Sequence, residues 1–355
     1  MYILSLDSLR GIAVMFVVYY HWFPNIITKV IPLGSIGVDI FFVLSGFLIS
    51  GILLDKKFKV NNKIREVAFF FVRRCLRIFP LYYGIIIGLF FFSSIFPNPV
   101  PNYWVYFVFY LQNFLFFDLQ SFIGGKVAHL WSLAVEEQFY LVWPWVILYI
   151  DKRYLHSVFL IGIFLGVFCS IYFPNYLYKG NPLVSVNPLT CIQSFCIGGY
   201  LSYLIRFSLI SNSVEKFIKL LALLSIALYF LIKIFFPELL GFDRTLISFF
   251  AVWIIYSLVS NKYDKFKLIF NSSILIFIGK ISYGIYIFHN FIPLSVKALF
   301  HFLSKKFPAF IFFRINPEEN LLLFFSICFF VLIVISYYSF KFYEKPFISL
   351  KKYFK

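Results

Sequence analysis

Leu6-Asp7-Ser8-Leu9-Arg10-Gly11-Ile12-Ala13-Val14-Met15-Phe16-Val17-Val18-Tyr19-Tyr20-His21-Trp22-Phe23 decides how the chain is read. The run from Leu9 to Phe23 is apolar except for Arg10 and His21. On a helix, eleven steps of about 100° return to within roughly 20° of the starting direction, so the two side chains share a face about 16 Å apart. One helix thus presents a fixed cation near one end and a titratable imidazole near the other. A second apolar run, Gly34 to Leu54, carries Asp39 and the small residues Ser45, Gly46, Ser50 and Gly51. Ionisable groups at membrane depth are costly and normally face a cavity or a partner, so these two runs read as a functional site.

Composition sets the solvent. The chain is 62% hydrophobic and 13% charged, with a mean hydropathy of +0.89, whereas a soluble domain carries about 25% charged residues. Its 53 phenylalanines exceed what a soluble core could bury. The net charge of +17 is explained by cytoplasmic basic loops and anionic headgroups rather than by nucleic acid. Cys75, Cys169, Cys191, Cys196 and Cys328 lie in apolar runs without CxxC spacing, which predicts packing residues rather than metal ligands or disulfides. The first run lacks a small-residue cleavage motif, so no cleavable signal peptide is expected.

The fold class expected is an all-α polytopic membrane bundle of about ten transmembrane helices. Runs long enough to span lie near 9–24, 33–54, 76–96, 131–150, 157–173, 189–206, 217–236, 244–260, 273–292 and 320–340, the shorter ones marginal against about 20 residues per span. The segment 103–117 is ambiguous by length. Leaving it outside puts 23 basic residues on the cytoplasmic side and 9 on the other; counting it as a span gives 17 against 15. The positive-inside rule favours the first arrangement, with both termini cytoplasmic. His21 then lies toward the outer face and Arg10 toward the inner one.

Further polar groups follow. The loop Asp55–Val72 reads as a basic segment on the cytoplasmic surface. Arg73-Arg74-Cys75-Leu76-Arg77 opens the third run, with Arg74 and Arg77 on neighbouring positions of one face. Such a pair suits phosphate oxygens, although composition alone favours an ordinary basic flank that anchors the span. In the stretch from His129 to Tyr140, Glu136 and Glu137 point about 100° apart, so at most one faces a cavity. His129, Ser132 and Glu136 could line one face, or form a polar collar beside the aromatic belt Trp131, Tyr140, Trp143, Trp145. The segment from Leu155 to Lys267 reads as lipid-facing scaffold. Tyr286 and His289 are helical neighbours near the end of the ninth run, where a lone histidine is more often an interfacial residue than a ligand. Glu344 closes the tenth run as a solvated residue or a partner of Arg74 or Arg77.

Together these motifs resemble the acyltransferase-3 family of integral-membrane acyltransferases. The resemblance rests on Leu6-Asp7-Ser8-Leu9-Arg10-Gly11 with His21, on Gly37 to Phe47, and on Arg73-Arg74-x-x-Arg77-Ile-x-Pro80. It continues through His129 to Tyr140, Ser282-Tyr283 with His289, and Glu344-x-Pro346. Ser8 departs from the family's usual glycine. Many relatives carry an additional extracytoplasmic domain after the tenth span; residues 1–355 are expected to form the transmembrane acyltransferase domain alone, without it.

The resemblance implies transfer of an acyl group, commonly acetyl, from cytoplasmic acyl-CoA to a hydroxyl of an extracytoplasmic carbohydrate. The acceptor would be lipopolysaccharide O-antigen, capsule, exopolysaccharide or peptidoglycan, or a lipid-linked saccharide. The protein would sit among the lipids of a bacterial cytoplasmic (inner) membrane, and no permanently bound cofactor or metal is expected. By similarity Arg10 and His21 are the first-span pair, Arg74 and Arg77 the third-span arginines, and Glu344 the last-span acid. The expected catalytic set is His21, Asp39, Glu136 and Glu137, with His21 as general base and Asp39 orienting it. Arg10, Arg74, Arg77 and Glu344 form the expected donor-binding set. A transporter or flippase of a lipid-linked sugar is the rival from another class, disfavoured because no paired, Gly/Pro-interrupted repeats are visible. A catalytically silent membrane sensor is a third reading. No GxSxG, HExxH or Walker A motif occurs.

Overall fold

A computed structural model describes residues 3–23, 31–94, 98–236, 241–260, 268–306 and 320–354. The described residues are helical, with no strand among them. This follows from the solvent: where water cannot bond to the backbone, a helix satisfies its own N–H and C=O groups within one segment. The elements are α1 (Leu4–Trp22), α2 (Leu33–Lys57), α3 (Lys63–Phe91), α4 (Trp104–Val108) and α5 (Gln112–Leu119). After a 3-10 turn, Gly125–Leu130, come α6 (Trp131–Tyr149), α7 (Lys152–Tyr172), α8 (Pro188–Arg206), α9 (Asn212–Phe235) and α10 (Asp243–Val259). The last are α11 (Ser273–Lys280), α12 (Ser282–Phe288), α13 (Ile292–Lys306), α14 (Leu321–Tyr338) and α15 (Lys345–Ser349).

Among the described residues, six helical segments are long and apolar enough to cross a membrane: 33–57, 63–91, 152–177, 188–206, 212–235 and 321–353. Several boundaries differ from expectation. α3 begins at Lys63, so most of the expected surface loop is helix, started by Asn62, whose side chain accepts from the Arg65 amide. The ninth run is two helices broken at Ile281. The ambiguous 103–117 segment is not one helix: α4 and α5 are separated at Tyr110, whose φ is 54°. Neither piece is long enough to cross a hydrocarbon layer of about 30 Å. Lys262, Lys265 and Lys267, counted among the cytoplasmic charges, lie outside the described residues.

α2 is the hub, packing against α1, α6, α8 and α10. Its contact with α8 is close because Gly46 and Gly198 face backbone directly. A Cβ on Gly46 would collide with the Phe195 carbonyl, and one on Gly198 with that of Val43. Phe195 then stacks between Phe42 and Phe139, with ring centroids 4.7 and 4.2 Å away, joining α2, α6 and α8. The small-residue string of α2 is therefore mostly structural. Trp143 Nε1 donates to Ser50 Oγ at 2.8 Å, Gly51 lies beneath the Arg206 guanidinium, and Ser45 lines a cavity.

The middle of the chain is only partly scaffold. α7 and α9 do expose apolar rows, including Ile161, Phe164, Leu220, Leu224 and Ile234. α10, however, turns Arg244 inward. The cysteines fill space as expected: Cys169, Cys191, Cys196 and Cys328 are buried in helical contacts, and Cys75 is half-buried.

Candidate active site

A cavity of about 260 Å³ opens between α1, α2, α3, α6 and α12. Arg10, Arg74 and Arg77 line it together with Ser45, Glu136 and Tyr140. α1 supplies Arg10, held by Asp7 one turn earlier in an ion pair with Nη1–Oδ1 of 2.5 Å. The Asp7 partner was not anticipated, although its i, i+3 spacing announces it.

Helical geometry sorts the Arg73-Arg74-x-x-Arg77 cluster. Arg73 points away from the cavity, donating to Glu66 at 2.7 Å and to the Phe354 carbonyl at 2.7 Å, so it ties the C-terminal turn to α3. Arg74 and Arg77 face the cavity. The Arg74 guanidinium lies over the rings of Phe70 and Tyr140, 5.4 Å from each centroid. Neither cavity arginine is in an ion pair with a carboxylate among the described residues.

Glu136 is the adjacent carboxylate that reaches the cavity. Ser45 Oγ donates to Oε1 at 3.0 Å, and the Tyr140 hydroxyl is 3.3 Å from Oε2. The face that lines the cavity is Ser132, Glu136 and Tyr140, spaced by four. His129 turns from that row toward His21 and His289. Glu137 lies off the cavity, and its Oε1 is buried with no partner among the described residues. The Tyr283 hydroxyl bonds to the Ile78 carbonyl at 2.7 Å, joining α12 to α3 across the cavity rim.

His21 sits at the other end of α1 and belongs to a cluster of three imidazoles. His21 Nδ1 lies 2.9 Å from the Val17 carbonyl and 3.3 Å from His289 Nε2. His289 is fully buried, and His129 stacks edge-on to it with a centroid distance of 4.7 Å. His129 Nδ1 lies 2.9 Å from Asn290 Nδ2. The Tyr286 hydroxyl is 2.6 Å from both Ser132 Oγ and the His129 carbonyl, linking this cluster to the cavity wall.

Two expectations about acids need correction. Asp39 does not orient His21. It is buried beside Arg244, whose Nε donates to Oδ1 at 2.7 Å while Nη1 donates to the carbonyls of Ser185 and Thr190. Asp39, in the N-terminal half of α2, pairs with α10 rather than with α1, a relation that helical spacing within one run cannot reveal. Glu344, on a π-helical turn spanning Ser339–Glu344, makes no direct ion pair with Arg74 or Arg77. Its Oε1 accepts from Ser339 Oγ at 3.1 Å. Among the described residues, no group of three or more His, Cys, Asp or Glu side chains is arranged to hold a metal ion.

The sequence profile described as an acyltransferase domain matches residues 3–340, nearly the whole chain. The chain belongs to the acyltransferase-3 family. Among curated relatives, this acyltransferase-3 chain is 31% identical to the peptidoglycan O-acetyltransferase OatA of Listeria monocytogenes, over 81% of its own length and 49% of that protein. It is 26% identical to the O-acetyltransferase OatA of Staphylococcus aureus strain NCTC 8325, over 88% of its length and 53% of that protein. The chain thus spans about half the length of the curated relatives it matches. No solved structure matches it.

Proposed function

We propose that this acyltransferase-3 chain is an O-acyltransferase moving an acyl group, most simply acetyl, from cytoplasmic acyl-CoA to a hydroxyl of a cell-envelope carbohydrate. The observation that carries the reading is the cavity that Arg10, Arg74 and Arg77 line together. Guanidinium groups bind phosphate oxygens bidentately and stay charged when desolvated, so this end suits the phosphates of a nucleotide carrier. The O-acetyltransferase names of the relatives support the reaction class, and the peptidoglycan named for the Listeria protein supports a glycan acceptor.

In this reading the ten apolar runs cross a bacterial cytoplasmic membrane with both ends cytoplasmic. The donor enters at the arginine end of α1, and its thioester extends toward His21. The imidazole takes the proton of an acceptor hydroxyl, the oxygen attacks the thioester carbonyl, the C–S bond breaks and the CoA thiolate leaves. Glu136, held by Ser45 and Tyr140, lines the arginine-bearing cavity.

The test uses the purified full chain in lipid nanodiscs with acetyl-CoA and peptidoglycan-derived oligosaccharides. Free CoA should appear in step with an acetyl mass gain on the glycan. A protein that binds donor yet releases no CoA with peptidoglycan, O-antigen, capsular or exopolysaccharide acceptors would overturn the assignment.

A further inference from the structure

Carbonyl oxygens only accept hydrogen bonds, and this fixes protons on the outer histidines. His21 Nδ1 lies 2.9 Å from the Val17 carbonyl, so it carries the hydrogen. His289 Nδ1 lies 2.7 Å from the Tyr286 carbonyl, so it carries one as well. His289 is fully buried against the rings of His21, His129 and Tyr286, where the neutral ring is favoured, and its Nε2 is therefore bare. That bare nitrogen is 3.3 Å from His21 Nδ1 and accepts from it. The His21 N–H is thus shared between Val17 and His289, and His21 Nε2 is left with an unprotonated lone pair.

We propose that His289 is a positioning residue for His21: it fixes the ring and the tautomer so that Nε2 is the atom that receives the acceptor's proton. The inference rests on the O-acyltransferase reading for its catalytic consequence, but the tautomer itself does not. Free histidine in water favours the opposite tautomer, with hydrogen on Nε2, which could not act as a base there. The arrangement is built from both sides. Trp22 Nε1, next to His21, donates to the His289 backbone carbonyl at 3.0 Å, so two consecutive residues of α1 seat on one residue at the end of α12. His129 also packs edge-on against the His289 ring, and Asn290 holds His129 in turn. The cluster is not a proton wire, because the His289 Nδ1 hydrogen ends on a carbonyl that cannot pass it on. When Nε2 takes the hydroxyl proton, the imidazolium keeps its Nδ1 hydrogen and both acceptors. The sugar oxygen then forms the new C–O bond as the C–S bond breaks, and the thiolate leaves.

The first arm reads nitrogen-15 NMR of full-length protein labelled at histidine in lipid, with the His21 signals assigned by their loss in His21→Gln. The expected spectrum has a protonated Nδ1 and a bare Nε2 on His21; a protonated Nε2 overturns the proposal whether or not the protein transfers acyl groups. The second arm measures turnover. His289→Leu removes the acceptor and should lower kcat about tenfold to a hundredfold, the scale expected of a misaligned catalytic group, with KM for acetyl-CoA unchanged. His289→Gln places an oxygen near the former Nε2 and should recover most of the loss. Full activity in the leucine variant, or equal loss in both, overturns the positioning role. Should the leucine variant fail to fold, the spectrum of the unsubstituted protein decides by itself.

Discussion

Asp39 and Arg244 are joined at 2.7 Å across 205 residues of sequence, with both side chains nearly buried. The pair clamps α10 onto α2, and Arg244 is further bound to the carbonyls that precede and open α8. Removing one member of a buried, hydrogen-bonded pair leaves the other charged and unsolvated. Arg244→Ala should therefore destabilise the fold by about 3–5 kcal/mol. Thermal unfolding in detergent checks this, and a double replacement of both residues by apolar ones should recover part of the loss. An Arg244→Ala protein with unchanged stability would end the structural account of Asp39.

Arg74→Ala and Arg77→Ala should each weaken acyl-CoA binding by about tenfold to a hundredfold, from the loss of about 1.5–3 kcal/mol per charge-assisted contact. Lysine should recover only part of this, since a point charge cannot reproduce the planar fork. Arg73→Ala, directed at the Glu66 and Phe354 contacts, should leave donor affinity alone. Titration of the detergent-solubilised variants with a non-hydrolysable CoA thioether distinguishes the three. Equal weakening by all three would reduce the cluster to a general positive flank.

His21→Gln keeps a hydrogen-bonding group but loses the proton acceptor. Acyl transfer should fall by about 10²–10⁴-fold while donor binding survives, because the cavity arginines lie toward the other end of α1. Near-normal turnover would move the base elsewhere, with Glu136 the next group to examine.

Much of this was legible in the sequence because a membrane leaves few places for charge. The helical class and the adjacency of Arg74 and Arg77 on one helical face follow from composition and periodicity within single runs, whereas the turn of that face into the cavity, rather than outward as a basic flank, does not. What failed was information carried between runs. The Asp39–Arg244 pair and the His21–His289 contact join residues over 200 positions apart, and nothing in local spacing encodes which helix a buried acid will meet. The start of α3 was also missed, because Lys63, Arg65 and Glu66 look like loop by composition. Their charges lie at the end of a long helix, where Glu66 is engaged by Lys56 and Arg73.

Gly46→Leu should be severe for a reason unrelated to chemistry. Its Cβ has no space beside the Phe195 carbonyl, so α2 and α8 would have to separate. Loss of monodisperse protein on size exclusion is the expected outcome; a well-folded, active Gly46→Leu protein would show that the helices can part without harm.

A reporter placed after Lys126 should lie outside the cell and one placed after Ser211 inside. Cytoplasmic signal at Lys126 would invert every later segment and contradict the break between α4 and α5 as the reason 103–117 does not cross.

The eleven residue steps from Arg10 to His21 make α1 a ruler with two separate settings, reach and bearing. Inserting one residue between them would change reach by only about 1.5 Å but swing the imidazole about 100° away from His289. Inserting seven would nearly restore the bearing while lengthening the reach by about 10 Å. If the carrier is held at one end and reacts at the other, the first change should abolish transfer of every acyl thioester. The second should strand only those whose arm is too short to cover the added distance.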